Sequence, residues 1–279
     1  MKTETLLMIM KYCKVAVKNT VYLFFLFLLF LTGQTAAQSQ PDTILDDKPF
    51  TVSAGFGYSF IGYREETDIP INRYLNTLYI ALEGSIHRND FIYYSNTGFF
   101  YGENDAIEID SSEEFFTHYQ RNSKFYKLYL EKALDRRLWG SSVFPGFLGG
   151  ALRLDANFTH LPETIYYGIS GTVCLNVHVT QKWLIDEKNK FIFTASIPVF
   201  GYAIRPPYYG LIYAPSDMDS RITSLHNHQA FFGELKYIRT VTDLFSYYLN
   251  LGTELSHISF PQPRKDALVR LSAGAVFSF

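Results

Sequence analysis

The chain has 279 residues, 47% hydrophobic and 17% aromatic, with 25 Lys and Arg against 27 Asp and Glu. A formal net charge of −2 lacks the basic bias that phosphate backbones select, so no nucleic-acid partner is expected. The two cysteines, Cys13 and Cys174, cannot staple a small disulfide scaffold, and the aromatic excess is carried by 21 Tyr and 25 Phe against 2 Trp.

Lys2, Lys11, Lys14 and Lys18 form a basic leader, followed by the continuous apolar run Val21 to Leu31 and the small residues Thr35, Ala36 and Ala37. This is the order of a secretory signal, with cleavage expected after Ala37. The run falls well short of the roughly 20 residues that a spanning helix needs. Residues 1–37 therefore read as a signal peptide, 38–49 as a short polar periplasmic tail and 50–279 as the folded unit. Cys13 leaves with the signal, and Cys174 remains alone.

From residue 50 onward the chain breaks into about ten segments of period 2. They lie near 50–62, 76–88, 90–102, 123–133, 144–158, 168–183, 190–203, 229–240, 244–258 and 266–279. Each is long enough to cross a bilayer as a tilted strand. In the fifth, Leu148, Leu152, Leu154 and Phe158 oppose Arg153, Asp155 and Asn157. In the sixth, Ile169, Val173, Leu175, Val177 and Val179 oppose Ser170, Thr172, Asn176, His178, Thr180 and Lys182. The third (FIYYSNTGFFYG) does not alternate, and a bulge is expected near Gly98; Pro198 predicts another. With both chain ends on the periplasmic side, connections alternate between short turns and longer extracellular loops. The connections at 89, 184–189 and 241–243 are the short ones, and 134–143 is the long exception. Trp139 and Trp183 fall on the periplasmic side, at the height of an aromatic belt. The fold class expected is all-β: a transmembrane antiparallel up-and-down β-barrel of about ten strands.

In the last segment Ala267, Val269, Leu271, Ala273, Ala275, Phe277 and Phe279 share one face. This strand resembles the C-terminal signature of Gram-negative outer-membrane proteins. That resemblance implies outer-membrane location after export, Phe279 and Phe277 as an assembly signal read by the barrel-assembly machinery, and contact with outer-membrane lipids and lipopolysaccharide.

By parity the inward face carries Glu83, Lys127, Glu131, Arg153, Asp155, His178, Lys182, Glu234, Lys236, Glu254 and Arg270. Opposite charges interleave, so a narrow lumen filled by a paired charge network is expected, serving an envelope-structural or small-ligand role. A surface adhesin would use the loops 103–122, acidic through Glu103, Asp105, Glu108, Asp110, Glu113 and Glu114, and 204–228, with Arg205, Pro206, Pro207, Tyr208 and Tyr209. The acidic loop fits no calcium-loop spacing, and His226 and His228 are too few for a metal, so no metal or cofactor is expected.

His257, Ile258 and Ser259 resemble, locally, the His-x-Ser of lipid A deacylases and outer-membrane phospholipases. The resemblance implies Ser259 as nucleophile and His257 as base on the lipid-facing side, acting on acyl esters, with Asp266 as the nearby acid to orient the imidazole. The sequence departs from that pattern at Phe260, where those families place Asn.

Overall fold

A computed structural model of the protein describes residues 48–65, 71–88, 90–109, 124–160, 167–205, 219–260 and 263–279. The expected signal peptide, most of the tail and the centres of loops 103–122 and 204–228 lie outside the described residues. Eleven strands follow in chain order: β1 Phe50–Glu65, β2 Ile71–Arg88, β3 Phe91–Ile109, β4 Lys124–Trp139, β5 Gly146–His160, β6 Tyr167–Leu184, β7 Asn189–Arg205, β8 Asp219–Ser224, β9 His228–Thr240, β10 Phe245–Ile258 and β11 Arg264–Ser278. No helix occurs among the described residues.

Each pairing is antiparallel, and β1 pairs with β11 from Thr51 opposite Ser278 to Glu65 opposite Arg264, which closes the sheet. A closed barrel leaves no unpaired edge for lipid to meet. β8 and β9 are two pieces of one crossing. Both are antiparallel to β7, with β9 on Asn189–Ser196 and β8 on Phe200–Arg205. Residues 225–231 therefore stand opposite only 197–199. A turn takes up part of the excess: Asn227 N donates to Ser224 O (3.1 Å) and Ser224 N donates to Asn227 Oδ1 (2.7 Å). The barrel thus has the ten expected crossings and one extra strand.

The tilt follows from the register. A walk across the ladder from Ile61 passes Leu268, Glu254, Phe232, Ser196, His178, Gly149, Asp135, Ile92 and His87, and returns to β1 at Pro49, twelve residues away. With about 3.3 Å per residue and about 4.8 Å between strands, that stagger tilts the strands by about 40°.

Facing follows period 2. Outward are Phe56 (74% exposed), Leu82, Leu152, Leu154, Leu175, Leu249 and Leu271 (63% exposed); inward and buried are Tyr79, Arg153, Lys236, Glu254 and Arg270. Large apolar side chains outside and charges inside invert the soluble pattern and match a wall bathed in lipid.

Three expectations are corrected. No bulge lies at Gly98, which pairs regularly with Ala81 and Tyr129; the shift in β3 falls between the partners of Tyr74 and Leu75, higher up. The alternation fails because large apolar side chains occupy both faces, with Ile92, Tyr94 and Phe100 inward and Phe91, Tyr93 and Phe99 outward. Gly98 is small for another reason: a Cβ there would sit 2.2 Å from the Tyr129 ring. Second, 134–143 is not a long connection, since β4 runs to Trp139 and the turn begins at Gly140, whose φ of 90° suits glycine. Third, 204–228 is not wholly loop, because β8 lies within it. The bulge expected at Pro198 is present, between the partners of Leu175 and Asn176.

Candidate functional site

The lumen concentrates the chemistry. On a strand, residues two apart share a face, so Arg153 and Asp155 on β5, and Glu234 and Lys236 on β9, point inward together. Lys127 and Glu131 enter from β4, Glu83 from β2, Glu254 from β10 and Arg270 from β11. Arg153 grips Asp155 with two bonds, Nε to Oδ2 at 2.8 Å and Nη2 to Oδ1 at 3.0 Å. It also reaches Glu254 across the barrel (2.9 Å) and Glu131 (3.6 Å).

Glu254 is the hub. Its carboxylate receives Arg153, Arg270 (3.1 Å) and Lys127, the last also 3.7 Å from Asp155. Arg270 continues to Glu234 (2.6 Å), which lies 3.5 Å from Lys236, and Lys236 donates to Glu83. The Lys127 and Arg153 contacts to Glu254 join β4 and β5 to β10, and Lys236 to Glu83 joins β9 to β2, so these cross the lumen, while Arg270 links the neighbouring strands along the wall. Five carboxylates meet four cations, each partnered, as burial of charge demands.

Aromatic rings fill the space between. The Arg153 guanidinium lies 3.8 Å from the Phe232 ring centre and 4.6 Å from that of Tyr129; Arg270 lies 5.2 Å from that of Tyr79. The Tyr79 and Tyr129 hydroxyls are 2.7 Å apart, and Tyr129 also donates to Asn96 (3.1 Å). A cavity of about 30 Å³ remains, lined among others by Glu131, Arg153, His178, Ser196 and Glu234. That volume has room for a few waters.

Toward the end where Phe50 and Phe279 meet lies a second polar group. His178 Nδ1 sits 2.7 Å from Asp135 Oδ2, and Thr180 donates to the same oxygen (2.8 Å). Lys182 lies 3.4 Å from His87 Nδ1. Sequence reasoning missed Asp135 by assigning it to a connection; period 2 carried one step past Ala133 finds it.

The residues expected as a hydrolytic set do not come together. His257 and Ser259 are outward on or just past β10, where His257 pairs in register with Gln229 and Lys265. No hydrogen bond joins His257 and Ser259 among the described residues; the Ser259 hydroxyl donates to Asn227 O (3.3 Å). Asp266 stands opposite Ser256 and so points inward, taking bonds from Ser256 (3.0 Å) and Arg264 (2.6 Å). Strand parity alone separates it from the imidazole. His226 is exposed and His228 buried, 3.6 Å from the Cys174 sulfur. Phe277 and Phe279 are outward at the lower rim, beside Phe245 (5.6 Å) and Phe50 (6.1 Å) respectively.

No family model and no curated protein sequence matches the chain. Among solved structures, the outer membrane protease OmpT of Escherichia coli matches with a TM-score of 0.57 at 7% identity, over 88% of this chain and 100% of that one. The Neisserial surface protein A matches with 0.36 at 10% identity, over 83% and 97%. The toluene transporter TodX of Pseudomonas putida matches with 0.33 at 6% identity, over 88% and 95%. The likeness to OmpT is one of fold: this chain has the architecture of an outer-membrane β-barrel.

Proposed function

We propose that the chain is exported by a cleaved signal peptide to the outer membrane of a Gram-negative bacterium. There it stands as a closed, non-conducting barrel with an envelope-structural role. The observation that carries this reading is the set of ion pairs through the lumen, centred on Glu254, Arg153 and Arg270. A pathway for solutes would need those contacts broken, and a ligand site would need far more room than a few waters occupy. The test is reconstitution of the refolded protein in a planar bilayer. The expected result is no resolved single-channel steps; large, stable steps would replace this reading with a porin.

Insertion is read as depending on Phe279 and Phe277, which face lipid at the rim of β11 and would be bound by the barrel-assembly machinery. Replacing Phe279 with Asp is expected to lower the amount of heat-modifiable barrel in outer-membrane fractions several-fold. An unchanged amount would remove Phe279 from that role. The outward faces would meet phospholipid and lipopolysaccharide directly.

A further inference from the structure

Among the described residues, the outer wall carries a charge at mid-depth on β4. Outward on β4 stand Tyr126, Leu128, Leu130, Lys132, Leu134, Arg136 and Leu138. Lys132 is exposed, with Leu128 and Leu134 exposed on either side of it. It lies six residues from Tyr126 and six from Leu138. At about 3.3 Å per residue and a tilt of about 40°, Tyr126 lies about 15 Å above it and exposed Arg136, opposite the first residue of β3, about 10 Å below. A four-carbon stem reaches about 6 Å, so its ammonium cannot snorkel to either surface. No hydrogen bond or ion pair reaches that ammonium among the described residues.

Its neighbours across the ladder are Ser95 on β3 and Leu152 on β5. Thr97 on β3 also faces outward, and Gly84 and Gly150 leave the backbone bare close by. Small and hydroxylic residues of this kind let a second membrane segment approach closely. A cation held in hydrocarbon is costly and calls for a partner.

We propose that the outer face around Lys132 docks a membrane-spanning segment of a different protein, one that presents a carboxylate at mid-depth. Charge complementarity sets the chemistry. It also excludes a second copy of this chain, because the mid-wall carboxylates Glu83, Glu131, Asp155, Glu234 and Glu254 all point inward. Ser95 and Thr97 share the outward face beside it and would add hydroxyl oxygens to the docked contact.

The experiment uses native outer membranes treated with a bilayer-permeant carbodiimide, which couples an amine to a carboxylate in direct contact. The expected product is an amide between Lys132 and one reproducible Asp or Glu in a membrane-spanning peptide of another protein. It should be absent from Lys132→Arg membranes and from the purified barrel. No adduct, adducts scattered over many proteins, or an adduct to a second copy of this chain would each overturn the proposal. A second measurement tests the depth itself. In the purified barrel in phosphatidylcholine vesicles, Lys132→Leu should raise the folding equilibrium constant on the order of 10²-fold, the scale for relieving a midplane Lys. No gain would show that Lys132 is not in hydrocarbon, and the proposal would fail there.

Discussion

Arg153 shows what a single residue does in this lumen. Its guanidinium touches Asp155, Glu254 and Glu131 and lies over the rings of Tyr129 and Phe232. Replacing it with Met keeps much of the volume but leaves three carboxylates with less positive charge around them. Removing one partner of a buried pair typically costs 3–5 kcal/mol, so Arg153→Met should destabilise the barrel by about that amount. Urea unfolding of the refolded protein in vesicles measures it; a loss under about 1 kcal/mol would mean the acids are repaired by Lys127 and Arg270. The inward facing of Arg153 and Asp155 was legible, because LRLD between two apolar positions has one reading on a strand. Lys132 was not singled out, since a lysine among leucines in KLYLEKALD reads equally as the polar face of a soluble strand until the register shows which way it points. His257 and Ser259 do share a face, as a two-residue spacing requires. Asp266 could not join them, because the β10–β11 register sets it beside Ser256.

At the scale of strands and turns, legibility followed the cleanness of the alternation. β6 was readable through its Val and Leu series, whereas β3 hid its register behind aromatics on both faces. β8 escaped because DSRITS has little apolar signal, and backbone pairing to β7 is what makes it a strand. The facing of β11 gives a direct contrast. Leu271→Arg should cost about 2–4 kcal/mol as a charge in lipid, whereas Ala267→Arg, on the same outward face and four residues nearer the upper rim, should cost about 0–1 kcal/mol. Equal effects at the two sites would contradict a lipid-facing middle. The turn between β6 and β7 carries a pH dependence. Exposed Asp186 accepts bonds from the Asn189 side chain and from the Lys188 and Asn189 backbone N–H groups, each 2.8 Å. These bonds, the Asn189 side chain first, hold its carboxyl below the ordinary value of about 4. A lowered value in the folded state means the turn gains stability above the unfolded carboxylate's range and loses it as pH falls through the folded one. Amide exchange at Asn189 should therefore show protection that drops below about pH 4. Protection unchanged down to strongly acid pH would show that the carboxylate does not hold the turn.

For the whole barrel, strand number and stagger leave a lumen that side chains can fill. Here that filling is done by four cations, five carboxylates and the rings between them, all anchored on strands from opposite sides. The cross-lumen pairs act as struts, so closing the pore and bracing the wall are one feature. The two guanidiniums are the links that reach Glu254 from β5 and β11. Arg153→Ala combined with Arg270→Ala would remove both and vacate the volume over Tyr79 and Tyr129. Five carboxylates would then face Lys127 and Lys236 alone, and their mutual repulsion would favour water entering between them. The double variant, refolded and heat-modifiable, is expected to give small cation-selective steps in a planar bilayer where the parent gives none. The selectivity sign follows from the excess of carboxylates left behind. Restoring one guanidinium should close most of the conductance again, since a single Arg at position 153 still spans from Asp155 to Glu254. A folded double variant that stays silent would assign the closure to the aromatic side chains, with the charges only bracing the wall.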